Sequence, residues 1–331
     1  MDVNGKVILI TGGTGSFGKK MTDILLDEYE TKKIVILSRD ELKQVEMKRA
    51  YVGHPKESQL RFFIGDVRDR DRLYRAFNGV DIVIHAAAIK HVPVAENNPL
   101  EAIKTNVLGA ANVIDAALDR GVKRVIALST DKAASPVNLY GATKLCSDKL
   151  FVAANTYRGD SETRFSVVRY GNVVGSRGSV IPFFLNERKK GVLPITDAKM
   201  TRFWITLDRG VKFVIQCLGK MESGEIFVPK LPSMSIMDLA RAVAPDCGFN
   251  FVGIRPGEKL HEVMLPRDDA RRALEYDDYF VIHPVDVPWW NEEAFLEKRG
   301  GRRCSKDFEY SSDQNDHWLS AEELQQLVDA A

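Results

Sequence analysis

The chain is poor in the features that mark metal-binding, disulfide-linked and membrane proteins. Its four cysteines, Cys146, Cys217, Cys247 and Cys304, are far apart and form no CxxC or Cys/His cluster. This spacing argues against a zinc site and a disulfide framework. No run approaches the ~20 apolar residues of a membrane span, and the short apolar run in "MDVNGKVILITGG" stops in glycines, unlike a signal peptide. We therefore expect a cytoplasmic protein that binds no metal.

Charge of one sign is also lacking, because the formal net charge is only +1 and 28% of residues are charged. Nothing indicates a nucleic-acid surface or a polybasic membrane patch. The length of 331 residues suggests about two domains at roughly 150 residues each. Apolar residues make up 44% of the chain, which is enough for a full core.

The first half of the chain alternates between buried strands and amphipathic helices. The helices are predicted at 19–29, 99–120 and 139–157. Continuous apolar strands alternating with helices predict an α/β fold with a parallel sheet covered on both faces. The strands are predicted at 6–12, 33–40, 60–67, 80–88, 122–130 and 164–173.

The pattern breaks after residue 173, where loop-like stretches and short helices follow. We expect residues 1–173 to form a nucleotide-binding domain, with a later segment at about 205–228 returning to it. Residues 174–331 are expected to form mainly a smaller lobe on the carboxyl edge of the sheet, where ligands of open α/β sheets bind.

A glycine motif, "TGGTGSFG" (11–18), follows the first strand and opens the first helix. Its Gly12, Gly15 and Gly18 allow the backbone to approach a pyrophosphate, whose charge then lies at the helix N-terminus. The alternative is an ordinary tight turn, but the strand–turn–helix context favours a dinucleotide site. We include the intervening Thr14, Ser16 and Phe17 in that site.

The residue that contacts the adenosine ribose is expected about 20 residues further on. The second strand ends in Ser38, Arg39 and Asp40, and Lys43 lies one turn beyond. A guanidinium binds a phosphate through two hydrogen bonds, so this pattern favours the 2′-phosphate of NADP. Asp40 leaves NAD open, and the alternative is that Arg39 and Lys43 are simply solvated.

Further cofactor contacts are expected at the ends of the next two strands. Asp66 and Val67 are candidates for the adenine, and the small residues Ala86, Ala87 and Ala88 leave room for the nicotinamide ribose. Close helix–strand packing would also explain the alanines. Four more residues complete the predicted cofactor site: Lys90, Val173, Tyr140 and Lys144.

Tyr140 and Lys144 lie four positions apart, on one face of a predicted helix. A phenol titrates near pH ~10, too high for a base at neutral pH. A neighbouring ammonium and a positive nicotinamide ring stabilise the phenolate and lower that pKa. Thr130, at the end of the preceding strand, is placed to hydrogen-bond the same substrate hydroxyl. A Tyr-x-x-x-Lys pair alone is frequent by chance, so its position after the glycine motif carries the argument.

Together, the glycine motif, Thr130 and Tyr140-x-x-x-Lys144 resemble the extended short-chain dehydrogenase/reductase family, which acts on sugar nucleotides. The resemblance implies a Rossmann-like, doubly wound amino-terminal domain that binds the cofactor NADP. It also implies a smaller lobe that binds a nucleotide sugar, and a homo-oligomer built through the helices at 99–120 and 139–157. A non-catalytic NADP-binding regulator is the alternative, but it would lack Thr130, Tyr140 or Lys144, and all three are present.

Asp131 and Lys132 directly follow Thr130 in "TDKAASPVNLYGATK". Family dehydratases carry an acid at this place, whereas epimerases generally carry small residues. The string resembles the branch that removes water from UDP-N-acetylglucosamine with inversion at C5 and begins pseudaminic acid synthesis. By that resemblance Asp131 is the acid at C6 and Lys132 the base at C5. A C5-retaining dehydratase and a UDP-sugar 4-epimerase stay open, as does a structural role in which Asp131 caps the turn and Lys132 faces solvent.

Substrate contacts are expected along the second half of the chain, because a diphosphate carries about two charges and favours arginine. Lys90 is placed to reach both cofactor and sugar. His85, His91 and His261 are expected to be structural, since no carboxylate spacing accompanies them. The other predicted substrate residues are Asn172, Arg177, Thr196, Arg202, Arg255 and Glu258.

Overall fold

A computed structural model describes residues 2–174, 180–285, 287 and 289–329. The strands are β1 Val7–Thr11, β2 Lys33–Ser38, β3 Leu60–Ile64, β4 Ile82–His85, β5 Arg124–Thr130, β6 Arg164–Tyr170, β7 Asn172–Val173, β8 Val192–Ile195, β9 Thr201–Ile205, β10 Ile226–Pro229, β11 Ser233–Ser235, β12 Gly248–Phe251, β13 Val263–Leu265, β14 Ala273–Glu275, β15 Tyr279–Ile282, β16 Arg302–Arg303 and β17 Tyr310–Ser311.

The helices lie mainly between the strands of the first half. They are α1 Ser16–Glu28, α2 Glu41–Ala50, α3 Arg70–Ala76, α4 Val92–Asn97, α5 Pro99–Ile103, α6 Gly109–Asp119, α7 Leu139–Ala153, α8 Val180–Glu187, α9 Leu207–Lys220, α10 Ile236–Val243, α11 Arg267–Ala270, α12 Glu292–Arg299 and α13 Ala321–Asp329. A π-helical turn, Lys104–Leu108, joins α5 to α6.

Ten strands of the described residues form one sheet in the order β16-β14-β15-β10-β6-β5-β4-β1-β2-β3. From β3 to β10 all neighbours are parallel. Every residue of β1 and β4 is buried, as continuous apolar strands require when helices cover both faces. The order 3-2-1-4-5-6 is that of a doubly wound Rossmann-like sheet, which confirms the predicted fold class.

The second half of the chain also contributes to this sheet. Strand β10 pairs parallel with β6, and β15 and β14 then add antiparallel neighbours. A second hydrophobic core forms beside the first from residues that include Ile181, Phe184, Leu193, Trp204 and Leu324. Strands that follow residue 173 thus belong to the main sheet. The division of the chain into two domains at residue 173 stays a prediction.

Among the described residues, no helix combines the length and the apolar character needed to cross a membrane.

The end of β5 leads directly into the segment that carries the predicted chemistry. After Thr130 the chain makes one 3₁₀ turn, Asp131–Ala133, and α7 then begins at Leu139. Helix α7 packs on that turn so closely that a Cβ on Gly141 would lie 2.1 Å from the carbonyl oxygen of Lys132. Only glycine fits at position 141, so the position of the 131–133 turn depends on that glycine.

The N-cap of α7 joins this segment to the second half of the chain. The side chain of Asn138 accepts a hydrogen bond from the Gly141 N–H at 2.8 Å, which satisfies the first turn of the helix. Its Nδ2 donates to the carbonyl oxygen of Gly257 at 2.7 Å. The loop around Gly257 is therefore held against the start of α7.

We predict that Gly141→Ala displaces the 131–133 turn. The added methyl group should lower the free energy of unfolding by about 1–3 kcal/mol and reduce product formation at least ~100-fold, since small displacements of catalytic groups are costly. Gly210→Ala in α9 is the matched control, because its Cβ would lie 3.6 Å from Ile205 Cδ1. Replacing a helical glycine in free space should stabilise the protein by up to ~1 kcal/mol. Thermal denaturation and an activity assay on both variants check this, and equal behaviour of the two would contradict it.

Candidate active site

A cavity of about 900 Å³ opens at the carboxyl ends of the parallel strands. The strand order reverses between β1 and β4, and doubly wound folds bind their ligands at such a point. Every residue predicted to contact the cofactor lines this cavity: Gly12, Thr14, Gly15, Ser16, Phe17, Gly18, Ser38, Arg39, Asp40, Lys43, Asp66, Val67, Ala86, Ala87, Ala88, Lys90, Tyr140, Lys144 and Val173.

The glycine turn has the form of a pyrophosphate cradle. Gly12 has a φ of +64°, and a Cβ there would lie 2.9 Å from Ala87 Cα, so the turn and the 86–88 segment meet backbone to backbone. Gly15, the N-cap of α1, has no side chain to cover the first N–H groups of the helix. Those groups and the positive end of the helix dipole suit an anion. These residues therefore fit a dinucleotide.

The end of β2 carries the groups expected at the adenosine ribose. The Asp40 side chain caps α2 by accepting from the Lys43 N–H at 3.0 Å, and its other oxygen lies 2.8 Å from Lys43 Nζ. These contacts with Lys43 hold the pKa of Asp40 below its usual value. Arg39 keeps 60% of its side chain exposed and lies 3.7 Å from Asp66. Asp40 is thus engaged with its own helix, whereas Arg39 is available to a ligand.

The 86–91 segment is held by a side chain that the sequence reasoning missed. Asn106, buried in the π-helical turn, accepts from the Ile89 N–H at 2.8 Å and donates to the Ile89 carbonyl at 2.9 Å. It also donates to Thr143 Oγ1 of α7 at 3.0 Å. Helical turns of this type are frequent at functional sites, but no sequence signal distinguishes this one.

Tyr140 and Lys144 both line the cavity from α7. Burial raises the pKa of Tyr140 to about 12, although the Lys132 ammonium and a hydrogen bond with Thr130 partly oppose the shift. Burial lowers the pKa of Lys144, and Asp148 opposes that change. The phenol thus loses its hydration, and the cation that offsets this loss is Lys132. The lowering of the tyrosine pKa beside a positive nicotinamide ring stays a prediction.

Asp131 and Lys132 form a contact pair at the wall of the cavity. Asp131 is 1% exposed, and its Oδ1 accepts from Thr130 Oγ1 at 2.9 Å and from Lys132 Nζ at 3.0 Å. Lys132 keeps 26% of its side chain exposed. Both residues line the cavity, so the alternative in which Lys132 faces only bulk solvent does not describe this geometry.

A second carboxylate reaches Lys132 from the far part of the chain. Glu262, 2% exposed, places Oε1 at 3.3 Å from Lys132 Nζ. Burial alone would lower the pKa of Lys132, but the negative charges of Asp131 and Glu262 raise it above its usual value. Burial and the charge of Asp131 raise the pKa of Glu262. The lysine is thus held as an ammonium between two carboxylates.

Two further cations complete this group, which we call the charge cluster: Asp131, Lys132, Arg202, Lys259 and Glu262. Arg202 Nε lies 3.7 Å and Lys259 Nζ 3.9 Å from the Glu262 carboxylate. Lys259 Nζ also donates to the Ala134 carbonyl at 2.6 Å. Sequence reasoning missed Glu262 and Lys259, although both lie in the string "RPGEKLHE", which also contains the predicted Arg255 and Glu258.

The predicted substrate residues divide into two groups. Asn172 and Lys90 line the cavity, and Asn172 Oδ1 is buried with no hydrogen-bond partner among the described residues, as expected of a group that awaits a ligand. Trp204 packs in the second hydrophobic core and also lines the cavity, and its Nε1 likewise has no partner in the described part of the chain.

Of the other predicted substrate residues, the four that the structure describes do not line the cavity. The Arg202 guanidinium donates to the carbonyls of Thr201, Leu260 and Lys259 at 2.7–3.0 Å, so it is committed to the loop and to Glu262. Thr196 donates to Met200 Sδ at 3.1 Å. Arg255 pairs with Glu258 at 3.7 Å and is 62% exposed. Arg177 lies outside the described residues.

Of the three histidines expected to be structural, His85 and His261 are hydrogen-bonded within the protein, whereas His91 lines the cavity. His85 Nδ1 hydrogen-bonds Thr11 Oγ1 at 2.8 Å, and burial lowers the pKa of His85 to about 3, so the ring is neutral. His261 Nδ1 hydrogen-bonds Thr201 Oγ1 at 2.8 Å. The described residues contain no group of three or more His, Cys, Asp or Glu side chains able to hold a metal ion.

The arrangement offers two separate acid–base sets in one cavity. Tyr140 comes from α7, whereas the Asp131–Lys132 pair directly follows Thr130 at the end of β5, and all four residues line the cavity. Tyr140 and Lys144 suit proton removal from a hydroxyl that is being oxidised. Asp131 and Lys132 add a carboxyl and an amine, which a simple hydride transfer does not require.

The chain is similar in sequence to known proteins over most of its length. A family model described as "Polysaccharide biosynthesis protein" matches residues 8–284. The UDP-N-acetylglucosamine 4,6-dehydratase (inverting) of Campylobacter jejuni strain 81-176 is 57% identical over 98% of each chain. The UDP-glucose 4-epimerase of Rickettsia canadensis is 41% identical over 98% of this chain and 95% of its own.

Solved structures share the fold of this chain. Pen from Bacillus thuringiensis superimposes with a TM-score of 0.89 at 36% identity, covering 100% of this chain and 99% of its own. DesIV, a dTDP-glucose 4,6-dehydratase from Streptomyces venezuelae, has a TM-score of 0.70 over 98% of this chain and 96% of its own, and at 22% identity it supports the fold alone. The chain therefore belongs to the polysaccharide biosynthesis protein family, within the extended short-chain dehydrogenases/reductases that its motifs resemble.

Proposed function

We propose that the protein is a C5-inverting UDP-N-acetylglucosamine 4,6-dehydratase that produces a UDP-4-keto-6-deoxy-L-arabino-hexosamine. The observation that carries this proposal is the buried Asp131–Lys132 pair at the cavity wall, next to Thr130 and in the same cavity as Tyr140. The full-length similarity to the Campylobacter jejuni dehydratase supports the substrate. Because the Asp-Lys string resembles that branch of the family, we also propose that the reaction is the first step of pseudaminic acid synthesis.

The chain's own residues perform the proton transfers. A dinucleotide held by the glycine turn and the 86–88 segment would supply the hydride acceptor for C4 of the sugar and the hydride donor for C6. Tyr140 removes the proton from the C4 hydroxyl as the ketone forms, with Thr130 orienting that hydroxyl. Lys144, on the same face of α7, is proposed to stabilise the phenolate and to bind the cofactor ribose. The ketone makes the C5 proton acidic.

Elimination of water then falls to the second acid–base set. Lys132 removes the C5 proton, and Asp131 gives a proton to the departing C6 hydroxyl. Inversion means that C5 is later reprotonated on the opposite face. The buried, unpartnered Asn172 Oδ1 is proposed to accept a hydrogen bond from the substrate, with Lys90 nearby. Arg177, Thr196, Arg255 and Glu258 remain proposed substrate contacts, to be reached by the nucleotide part.

Similarity to UDP-glucose 4-epimerases favours one alternative, a 4-epimerase that only removes and returns the hydride at C4. Such an enzyme has no use for an acid at C6 and a base at C5. A C5-retaining dehydratase would use the same residues and differ only in the face of reprotonation. Loss of water distinguishes the proposed dehydratase from the 4-epimerase. The configuration at C5 distinguishes it from the C5-retaining dehydratase.

The cofactor is proposed to be NADP, because Arg39 projects from the end of β2 with 60% of its side chain exposed while Asp40 is engaged in capping α2. Exposed apolar residues on α5 and the π-helical turn, Leu100, Ile103 and Leu108, support a homo-oligomer built through these helices. The cytoplasmic location also remains a proposal.

Incubation of the enzyme with UDP-N-acetylglucosamine in deuterated water tests the reaction. We expect a product that has lost one water molecule and carries one deuterium at C5, in the inverted configuration. Mass spectrometry and NMR provide the measurement. An unlabelled product, or one inverted only at C4 with no loss of water, would exclude the dehydratase.

Removal of the Lys132 amine tests the proposed base. We expect Lys132→Ala to reduce product formation by about 100-fold or more, while NADP binding measured by calorimetry is kept. Lys149→Ala, on the exposed part of α7, is the control and should behave as the wild-type protein. Full activity in Lys132→Ala would show that another group takes the C5 proton.

The cofactor preference is tested by Arg39→Ala. Because a charged hydrogen bond to the 2′-phosphate is lost, we expect NADP affinity to fall at least about tenfold, or roughly 1.4 kcal/mol, with little change in NAD affinity. Arg49→Ala, at the exposed far end of α2, controls for loss of a positive charge. Equal losses for both dinucleotides in Arg39→Ala would contradict NADP selectivity.

A further inference from the structure

Glu262 is a buried carboxylate whose position is fixed from both sides of its backbone. Its N–H donates to Ser312 Oγ at 2.9 Å, and the Ser312 N–H donates back to the Glu262 carbonyl at 2.8 Å. The residue precedes β13, which pairs with β17. Glu262 is not among the residues that line the cavity; it lies behind Lys132, so any influence on the substrate passes through that lysine.

Among the three cations near Glu262, Lys132 makes the shortest contact, at 3.3 Å. Arg202 donates to three backbone carbonyls and Lys259 donates to Ala134. Their charges are therefore anchored to the surrounding backbone at 3.7 and 3.9 Å from the Glu262 carboxylate. The Oε2 atom of Glu262 is buried without a hydrogen-bond partner among the described residues. The carboxylate is thus directed chiefly at the Lys132 ammonium.

The proposed elimination poses a charge problem that Asp131 cannot solve alone. Asp131 accepts hydrogen bonds from Thr130 and Lys132 on one oxygen, as a carboxylate does. To act as an acid it must first gain a proton. Transfer of one proton from the Lys132 ammonium across 3.0 Å supplies it, and the same transfer leaves Lys132 as a neutral amine able to act as a base. One proton shift therefore prepares both groups.

The next step creates a cation beside a neutral acid. The C5–H bond breaks, an N–H bond forms on Lys132, and the electron pair moves toward C6, where the C–O bond breaks. Asp131 gives its proton to the departing hydroxide, which leaves as water, so both residues return to their starting forms. Until that proton has moved, Asp131 is neutral and cannot balance the new ammonium. Of the two carboxylates that contact Lys132, only Glu262 is then still charged.

We propose that Glu262 is a positioning residue that serves as the permanent counter-ion of Lys132 during elimination. This inference rests on the proposed function. A fixed negative charge at 3.3 Å holds the Lys132 nitrogen in place while Asp131 is neutral and their ion pair is lost. Because the same charge opposes the first proton shift and favours the return of the proton to Lys132, Glu262 acts on the position of the amine rather than on its basicity. It should leave the oxidation at C4 little changed, because that step uses Tyr140 and Lys132 keeps its ammonium charge throughout it.

The test separates the two chemical steps in the full-length protein with bound dinucleotide. In Glu262→Gln we expect loss of water and deuterium entry at C5 to slow about ten- to a hundredfold. Formation of the 4-keto sugar, followed by rapid mixing through the absorbance of the reduced nicotinamide, should change less than about threefold, as should the KM. Glu262→Asp keeps the negative charge but moves it away from Lys132, because the side chain is one methylene group shorter. It should slow elimination by a smaller factor.

Glu225→Gln is the matched control. Glu225 is fully buried and hydrogen-bonds Ser166 at 2.6 Å, but it precedes β10 and so lies at the opposite, amino edge of the sheet. Changing this carboxylate to an amide should leave the ratio of elimination to C4 oxidation at the wild-type value. A ratio that falls equally in Glu225→Gln and Glu262→Gln would overturn the proposal, because it would reflect general destabilisation.

The outcomes distinguish this inference from the function on which it rests. If the wild-type protein removes water and labels C5 while Glu262→Gln keeps the same ratio of the two steps, only the role of Glu262 is wrong. If both steps fall together, Glu262 merely supports the fold. Should Glu262→Gln not fold, an unchanged ratio in Glu262→Asp overturns the proposal. No loss of water in the wild-type protein overturns both inference and function.

Discussion

The site depends on one ammonium, that of Lys132, held at 3.0 Å from Asp131 and 3.3 Å from Glu262. The two carboxylates come from positions more than a hundred residues apart, so the ion pairs join the end of β5 to the start of β13. Burying a charge is costly unless it is paired, and removing one partner of such a pair is strongly destabilising. The lysine therefore fixes the geometry of the cavity wall as well as supplying an amine to it.

The same ammonium acts on both acid–base sets. Burial raises the pKa of Tyr140, and the positive charge of Lys132 is the largest influence opposing that rise. Lys144 is engaged differently, because it lies near Asp148, which accepts from Ser129 at 2.7 Å and faces the buried Arg169 at 3.6 Å. Any proton that moves onto or off Lys132 thus changes the electrostatics of the tyrosine. Proton transfer at C5 and C6 is in this way linked to proton transfer at C4.

The residues predicted to contact the cofactor all line one cavity, because they follow strands of a doubly wound sheet. The ends of parallel strands meet at one edge, so Gly12, Asp66, Ala87 and Thr130 had to come together once the strands were recognised. The returning strands β14 and β15 and the π-helical turn around Asn106 were missed. They depend on pairing between segments distant in sequence, and local propensity does not encode such pairing.

The charged string at 255–262 shows where sequence reasoning ends. It contains Glu258, Lys259 and Glu262 within five positions, and either carboxylate is suited to a ribose hydroxyl or a cation. The sequence prediction names Glu258, which lies beside the exposed Arg255, whereas Glu262 contacts Lys132 at 3.3 Å. Glu262 is the buried carboxylate because Ser312 hydrogen-bonds both its N–H and its carbonyl. The burial of Glu262 thus depends on a residue fifty positions away in sequence.

This arrangement also explains how relatives with one fold can carry different chemistry. The sheet, the glycine turn and the Tyr140–Lys144 helix suffice for reversible oxidation at C4, which a dehydratase and an epimerase both need. Elimination needs in addition an acid and a base at C6 and C5, and a buried acid–base pair needs compensating charge. Arg202, Lys259 and Glu262 provide that charge from the second half of the chain, outside the cavity lining. A chain that catalyses elimination as well as oxidation therefore needs charged residues packed behind Asp131 and Lys132, in addition to that pair itself.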